Sequence, residues 1–407
     1  VTYLGYALLT IGMVMVFFFG NTRFKNLSEK LRQLKGASIL VLAFSLSTSS
    51  YGQVELMPQV PQIDAGHAEV FSGVIVQDFR GRMKPLNTLS KEMLRKVSGS
   101  ETWNGMNSDQ VLLSMYIQSR EWYSVPLVKL GKHERLNLLL GVAEGQKAAY
   151  RDFFEKDGTY KLKDLILQVN NQNPADRGVF EKEIIKVDER VNIMNLIFSG
   201  RFLRIFPVAN DPTNSWLAPN SVNQNQPEAS RFFNAYNQAL EEGIQSGNYT
   251  QASGLLEGLK LVQRQVSEDL IPSEGQVSAE LLLNDLQIFR FLALANTLLG
   301  LSFLAILFLS VFQPNWKLDK VLWFLFGVTF LSFLYHTLGL GLRWYVSERA
   351  PWSNGYESMI YIAWTSTLAG LLFSRKSPGG MAATMILSGT VLLIAWLSYL
   401  DPEITPL

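Results

Sequence analysis

His336 is the only strongly ionisable residue in the otherwise apolar run from Val321 to Leu342. It lies about seven residues from the outer end of that run, so roughly 10 Å deep at helical rise. An ionisable group at such depth is costly, and it defaults to a functional reading with a partner to be found. Neutral imidazole is a common metal ligand and can hold haem iron from one axial side. The structural alternative is a histidine hydrogen-bonded to a neighbouring helix, since membrane helices use polar side chains in this way. The residue types leave both readings open.

Just beyond His336 comes RWYVSERAPWSNGYESMIYIAW, Arg343 to Trp364. Arg343 and Arg349 are suited to grip carboxylates bidentately, as propionates would require. Asn354 and Gly355 form a turn that places Glu357 in the first turn of the next helix, where a carboxylate complements the helix dipole. Trp344, Tyr345, Trp352 and Tyr356 can be an interfacial aromatic belt or a ligand platform, and composition does not separate the two. His67 and His133 stand in ordinary charged contexts and read as solvated. GLGLRW has glycines but no strand before it, so it carries no nucleotide signal. Gly339 and Gly341 read instead as points of close helix approach.

The elements that must position these groups follow from hydropathy. Tyr3 to Gly20 is apolar and uncharged, and the loop after it carries Arg23, Lys25, Lys30, Arg32 and Lys35 against Glu29. Short basic loops stay cytoplasmic. A second apolar run, Ala37 to Ser47, follows basic residues and ends in small ones, which reads as an anchor or a cleavable signal. Four further spans follow: Phe291–Phe312, Val321–Leu342, Met359–Phe373 and Met381–Leu400. The turns QPNWKLDK and SRKSPGG put their lysines and arginine inside. This six-span topology places the Arg343–Trp364 stretch outside.

Between the two groups of spans, residues 51–285 read as a mostly helical extracytoplasmic domain with a small β element. The β element is a strand at Val70–Gln77, a turn at Asp78–Gly81 and a return to Pro85. A helix over SKEMLRKV, capped by Asn87 or Thr88, closes at Gly99. Val179, Ile184, Val187, Val191, Met194 and Ile197 share one helical face, with Gly200 near its end. A helical hairpin turns at Gly247 and Tyr249, and the Pro/Asn-rich stretch before it reads as an ordered loop. The fold class is therefore mainly α: residues 1–50 two spans, 51–285 the domain, 286–407 four spans.

Composition sets the outer bounds. The chain has 407 residues, 12% aromatic and 17% charged, with net charge +1 and no cysteine. Mean hydropathy is positive. No basic excess exists to neutralise phosphates, so a nucleic-acid partner is not expected. Disulfides, thiolate metal sites and thiol catalysis within the chain are excluded.

Pro351, Ser353, Asn354, Tyr356, Glu357, Ser358 and Trp364 match a pattern that resembles the CcsA family of cytochrome c biogenesis. VQDFRGRMKPLNTLSKEMLRKV resembles fused ResB–CcsA (CcsBA-type) System II proteins. The resemblance covers about residues 1–50, 70–97 and 286–407. It implies haem moved to the outer face of a bacterial inner membrane and presented to the CxxCH motif of apocytochrome c, with the large domain periplasmic. Thiol-reducing proteins are further implied partners. On this resemblance the cofactor-binding candidates are His336, Arg343, Arg349, Trp352, Asn354, Tyr356 and Glu357, with His336 the metal ligand. Two departures stand out. Glu348 and Arg349 replace a Gly-His pair, and the Trp-rich segment with its flanking histidines is absent. The expectation is a fragment ending before the ligation core, with catalytic residues unassigned. Alternatives are a membrane receptor or scaffold whose helical domain binds a partner and, with less to support it, a transporter.

Overall fold

The computed structural model of the chain describes residues 60–131, 133–209, 211–221, 226–267 and 270–397. The two expected N-terminal spans, their basic loop and the segment after Leu397 lie outside these residues. Contacts divide the described chain into two compact units. One holds 60–288 and 337–358; the other holds 289–336 and 359–397.

The first unit is mainly helical. Asp64 caps helix α1 (Ala65–Ser72), its carboxylate accepting from the His67 amide at 3.0 Å. The expected strand at Val70 is thus corrected: Val70–Ser72 are helical, and β1 begins only at Ile75 (Ile75–Gln77). The Asp64 cap starts the helix before Val70, and its turns run on through Ser72 to end at Gly73. β1 pairs antiparallel with β2 (Met83–Pro85), Ile75 opposite Pro85. Between them the Asp78 carboxylate accepts from the amides of Arg80 and Arg82, and Gly81 takes φ 89°. Lys84 is buried, its charge met by Glu92 at 2.5 Å and Asp78 at 3.4 Å. A second hairpin lies at Thr102–Asn107, and Pro126–Val128 pairs antiparallel with Ala148–Ala149 across an intervening helix, Glu134–Leu140.

Helix α2 (Leu86–Ser98) buries Leu86, Leu89, Met93, Leu94 and Val97 and stops at Gly99 in the left-handed region, as its sequence predicts. Neither Asn87 nor Thr88 caps it; both lie inside its first turn. Helix α3 (Ser108–Ile117) starts from an Asn107–Gln110 capping box. Helix α4 (Val179–Phe198) turns Ile184, Val187, Val191, Met194 and Ile197 into the core, while Val179 at its first turn is exposed. Gly200 follows with φ 70°, and a Cβ there would sit 2.6 Å from the Tyr116 ring. Helices α5 (Pro227–Ser246) and α6 (Thr250–Ser267) form the expected hairpin about Gly247. Helix α7 (Glu274–Leu286) follows, started by a Ser273–Gln276 capping box.

The second unit is built from four helices: α8 (Ile288–Phe312), α9 (Asp319–Ser347, as far as His336), α10 (Gly355–Phe373, from Met359) and α11 (Pro378–Leu397). The run Glu274–Phe312, α9 and α11 are long and apolar enough to cross a membrane. Helix α10 forms where a fourth span is expected but is not among them, because polar Tyr356, Glu357, Ser358 and three hydroxyl residues at 365–367 interrupt its apolar run. Leu299, Phe303, Leu371, Met381 and Met385 make the unit's core. The helices touch where side chains are smallest: a Cβ added at Gly300 would lie 2.7 Å from the Ile386 amide nitrogen, and one at Gly389 would strike Thr297. Gly341, expected to be such a contact, faces open space instead.

Candidate functional site

The Arg343–Glu357 stretch folds around one carboxylate. Helix α9 ends at Glu348, a non-glycine residue at φ 55°, whose carboxylate accepts from Gln276 Nε2 at 2.7 Å. Asn354 then caps α10 by accepting from the Glu357 amide at 2.7 Å. That cap points the Glu357 side chain back toward the incoming loop. Its Oε1 accepts from Arg343 Nη2 at 3.0 Å. Its Oε2 accepts from Arg349 Nη1 at 3.1 Å and from the Ser353 amide at 2.9 Å. Glu357 is wholly buried and Arg343 is 3% exposed. The Arg343 guanidinium also lies over the Tyr356 ring, 5.3 Å from its centroid. Trp344, Tyr345 and Trp352 stay about half exposed.

Five of the seven predicted site residues (Arg343, Arg349, Asn354, Tyr356 and Glu357) are thus brought together, with Trp352 in the same loop. Both guanidiniums direct donors to an internal carboxylate. Their geometry is that of a braced turn, with the Trp352 ring exposed in its loop.

His336 belongs to the other unit. It is 1% exposed, and the Phe289 ring meets it edge-on at 5.6 Å. The Ile360 backbone approaches the imidazole, yet neither ring nitrogen reaches hydrogen-bond geometry. A buried imidazole with both nitrogens unsatisfied is the donor that an axial haem ligand requires, so this residue fits the group its sequence context suggests. Among the described residues no group of three or more His, Asp or Glu could together hold a metal ion.

One turn before His336 on α9, Ser332 opens a seam that sequence reasoning missed. Ser332 Oγ donates to Asn296 Oδ1 at 2.5 Å, and Asn296 Nδ2 donates to Ser388 Oγ at 3.0 Å. Thr367 Oγ1 reaches the same Ser388 hydroxyl at 2.9 Å, and Ser388 donates to the Ala363 carbonyl at 3.0 Å. The seam touches all four helices of the unit. Its only sequence signal is Asn296 in an apolar run, together with hydroxyl residues in each partner helix.

His67 also departs from expectation. It is 1% exposed, not solvated. Its Nδ1 lies 2.9 Å from Ser253 Oγ, its Nε2 3.2 Å from Tyr236 OH, and Tyr249 stacks on the ring at 5.3 Å. Burial pushes its pKa down to about 4, only partly offset by the Asp64 charge. An open pocket of about 460 Å³ lies beside it, lined by Asp64, Asn248, Thr250 and their neighbours. His133 is half-buried against Phe180, ring centroids 4.6 Å apart.

No family model matches the chain. Over its full length the chain is 36% identical to Protein NrfI of Wolinella succinogenes, of which it spans 46%. Shorter stretches match proteins with a more explicit description: 37% over 73 residues of cytochrome c biogenesis protein CcsA from Prochlorococcus marinus, and 33% over 107 residues of CcsA from Synechococcus sp.. The chain is similar to cytochrome c biogenesis proteins. The CcsA matches take in 18% and 26% of this chain and 23% and 35% of those relatives. The chain therefore spans less than half the length of the curated relatives it matches. The NrfI likeness covers the residues of both units, the seam and the braced turn included.

Proposed function

We propose that this chain is part of a System II cytochrome c biogenesis protein that handles haem as its cargo, brings it to the outer face of a bacterial inner membrane and presents it to the CxxCH motif of apocytochrome c. The observation that carries the reading is the likeness to CcsA within a chain matched end to end by NrfI. Bound haem would supply the vinyl groups to which the thiols of apocytochrome c add. This chain has no cysteine and supplies none of those thiols itself.

In this reading residues 1–50 form two spans of a ResB-like end, 51–285 the periplasmic domain and 286–407 the beginning of a CcsA-like domain. His336, buried in apolar surroundings, would hold the haem iron through an imidazole nitrogen. Arg343, Arg349, Asn354 and Glu357 hold the loop that shapes the entrance, and Trp352 and Tyr356 supply its rings. Because Glu357 already takes both guanidiniums, their role is to fix the loop.

The test is genetic and biochemical. Cells deleted for the complete gene should lose covalently attached haem from their c-type cytochromes on haem-stained gels. The wild-type gene should restore it, and a gene carrying His336→Ala should not. Undiminished haem staining in the deletion strain would overturn the proposal.

A further inference from the structure

We infer that Asn296 is a positioning residue: it locks α9 against the other three helices of its unit and so holds His336 facing inward. The inference rests on the haem-handling reading for what His336 does, and on geometry alone for how it is held.

Asn296 has no exposure at all, and its amide is used at both ends. The carbonyl oxygen accepts from Ser332 on α9, while the nitrogen donates to Ser388 on α11. Ser388 passes the connection to α10 through Thr367 and the Ala363 carbonyl. An amide carries its acceptor and its donors on separate atoms, so it can accept from one helix and donate to another at once. Replacing it by an apolar residue takes the acceptor from Ser332 and removes the one side chain that ties Ser332 to Ser388, which keeps only its bonds to α10.

The seam bears on His336 through register. Ser332 and His336 are four residues apart and lie on one face of α9. Asn296 and Phe289 are seven residues apart and lie on one face of α8. The pair Asn296–Ser332 and the pair Phe289–His336 are therefore successive contacts along one helix–helix seam. Rotating α9 to break the first would carry the imidazole away from Phe289. Next to the seam, Gly389 against Thr297 lets α11 approach closely enough for Ser388 to reach Asn296. Hydrogen bonds are directional where apolar packing is not, so this seam selects one rotation of α9 among several of similar apolar burial.

The test uses the complete protein purified in detergent, in two arms. These 407 residues hold no cysteine, so, with any cysteine elsewhere in the protein replaced, a Phe291→Cys, Tyr335→Cys pair, replacing rings 6.0 Å apart, reports α8–α9 register through a short bifunctional maleimide. Asn296→Leu should slow cross-linking about tenfold, while Asn296→Gln, which keeps donor and acceptor, should restore much of it. In the second arm, without the cysteines, the bound-haem absorption spectrum is compared for wild type, Asn296→Leu and His336→Ala. Asn296→Leu should shift the spectrum toward that of His336→Ala at normal protein yield. Cross-linking that is unchanged, or lost without any spectral shift, overturns the inference. A wild-type protein that carries no haem sinks the functional reading instead and with it the positioning role, leaving cross-linking to decide only whether Asn296 sets the register.

Discussion

Arg343 Nη2 lies 3.0 Å from Glu357 Oε1, and both side chains are almost completely withdrawn from solvent. The link joins the end of α9 to the first turn of α10 across a loop that contains Pro351 and the Ser-Asn-Gly-Tyr-Glu-Ser run. Arg349, 23% exposed, approaches the same carboxylate from the loop itself. A buried pair of this kind is not strong evidence of net stabilisation, but removing one partner leaves the other charge stranded.

Glu357→Gln should therefore destabilise the protein by about 3 kcal/mol, more than the same change at exposed Glu348 would. Thermal unfolding of the detergent-solubilised protein measures it. An unfolding temperature equal to wild type would show that the two guanidiniums are satisfied without Glu357.

Asp109 and His67 oppose one another in pH. Burial pushes the Asp109 carboxyl up to about 6 from 3.8; the hydrogen bond from Asn87 and the Lys91 charge pull it back, and Asp285 adds to the rise. A raised carboxyl makes the folded state hold a proton that the unfolded state releases. Stability from Asp109 is thus full below pH 4 and lost as pH rises through 6, on the order of 3 kcal/mol. His67 is depressed to about 4 from 6.5. Its contribution is full above pH 6.5 and lost as pH falls toward 4. Wild type should show a shallow stability profile between pH 4 and 6.5. Asp109→Asn should expose a profile that falls on acidification, and His67→Gln one that falls as pH rises. Chemical denaturation across that range distinguishes them, and parallel profiles for the two variants would contradict the assignment.

Gly389→Leu should disrupt the second unit by forcing a side chain into Thr297, at about 1–3 kcal/mol. Gly341→Leu, toward open space, should be close to neutral. Comparing the unfolding temperatures of the two variants tests this; equal losses would place close packing at the wrong glycine.

Helix periodicity made α4 and the α5–α6 hairpin legible, because a single apolar stripe dictates which face is buried. Gly99 and Gly247 marked helix ends for a local reason, their left-handed backbone. What could not be read was set by tertiary contacts. His67 stands among charged neighbours in sequence, yet Tyr236, Tyr249 and Ser253, some 170 residues or more away, bury it. Val70 looked like strand, but the Asp64 cap made it helix. The Asn296 seam escaped notice because hydroxyl groups in membrane helices commonly bond their own backbone, as Thr329 does to Leu325. At Arg343 and Arg349 charge and position were apparent, but their internal acceptor was not. Glu357 could be assigned to the helix dipole alone until its two guanidiniums were in view.

The most direct measurement is the visible absorption spectrum of the complete protein purified from haem-replete cells, wild type beside His336→Ala. Haem handling with His336 as axial ligand predicts a Soret band in the wild type that is weakened and shifted in the variant, while His67→Gln leaves it unchanged. A wild-type protein without a Soret band, or an identical band in the His336 variant, would contradict it.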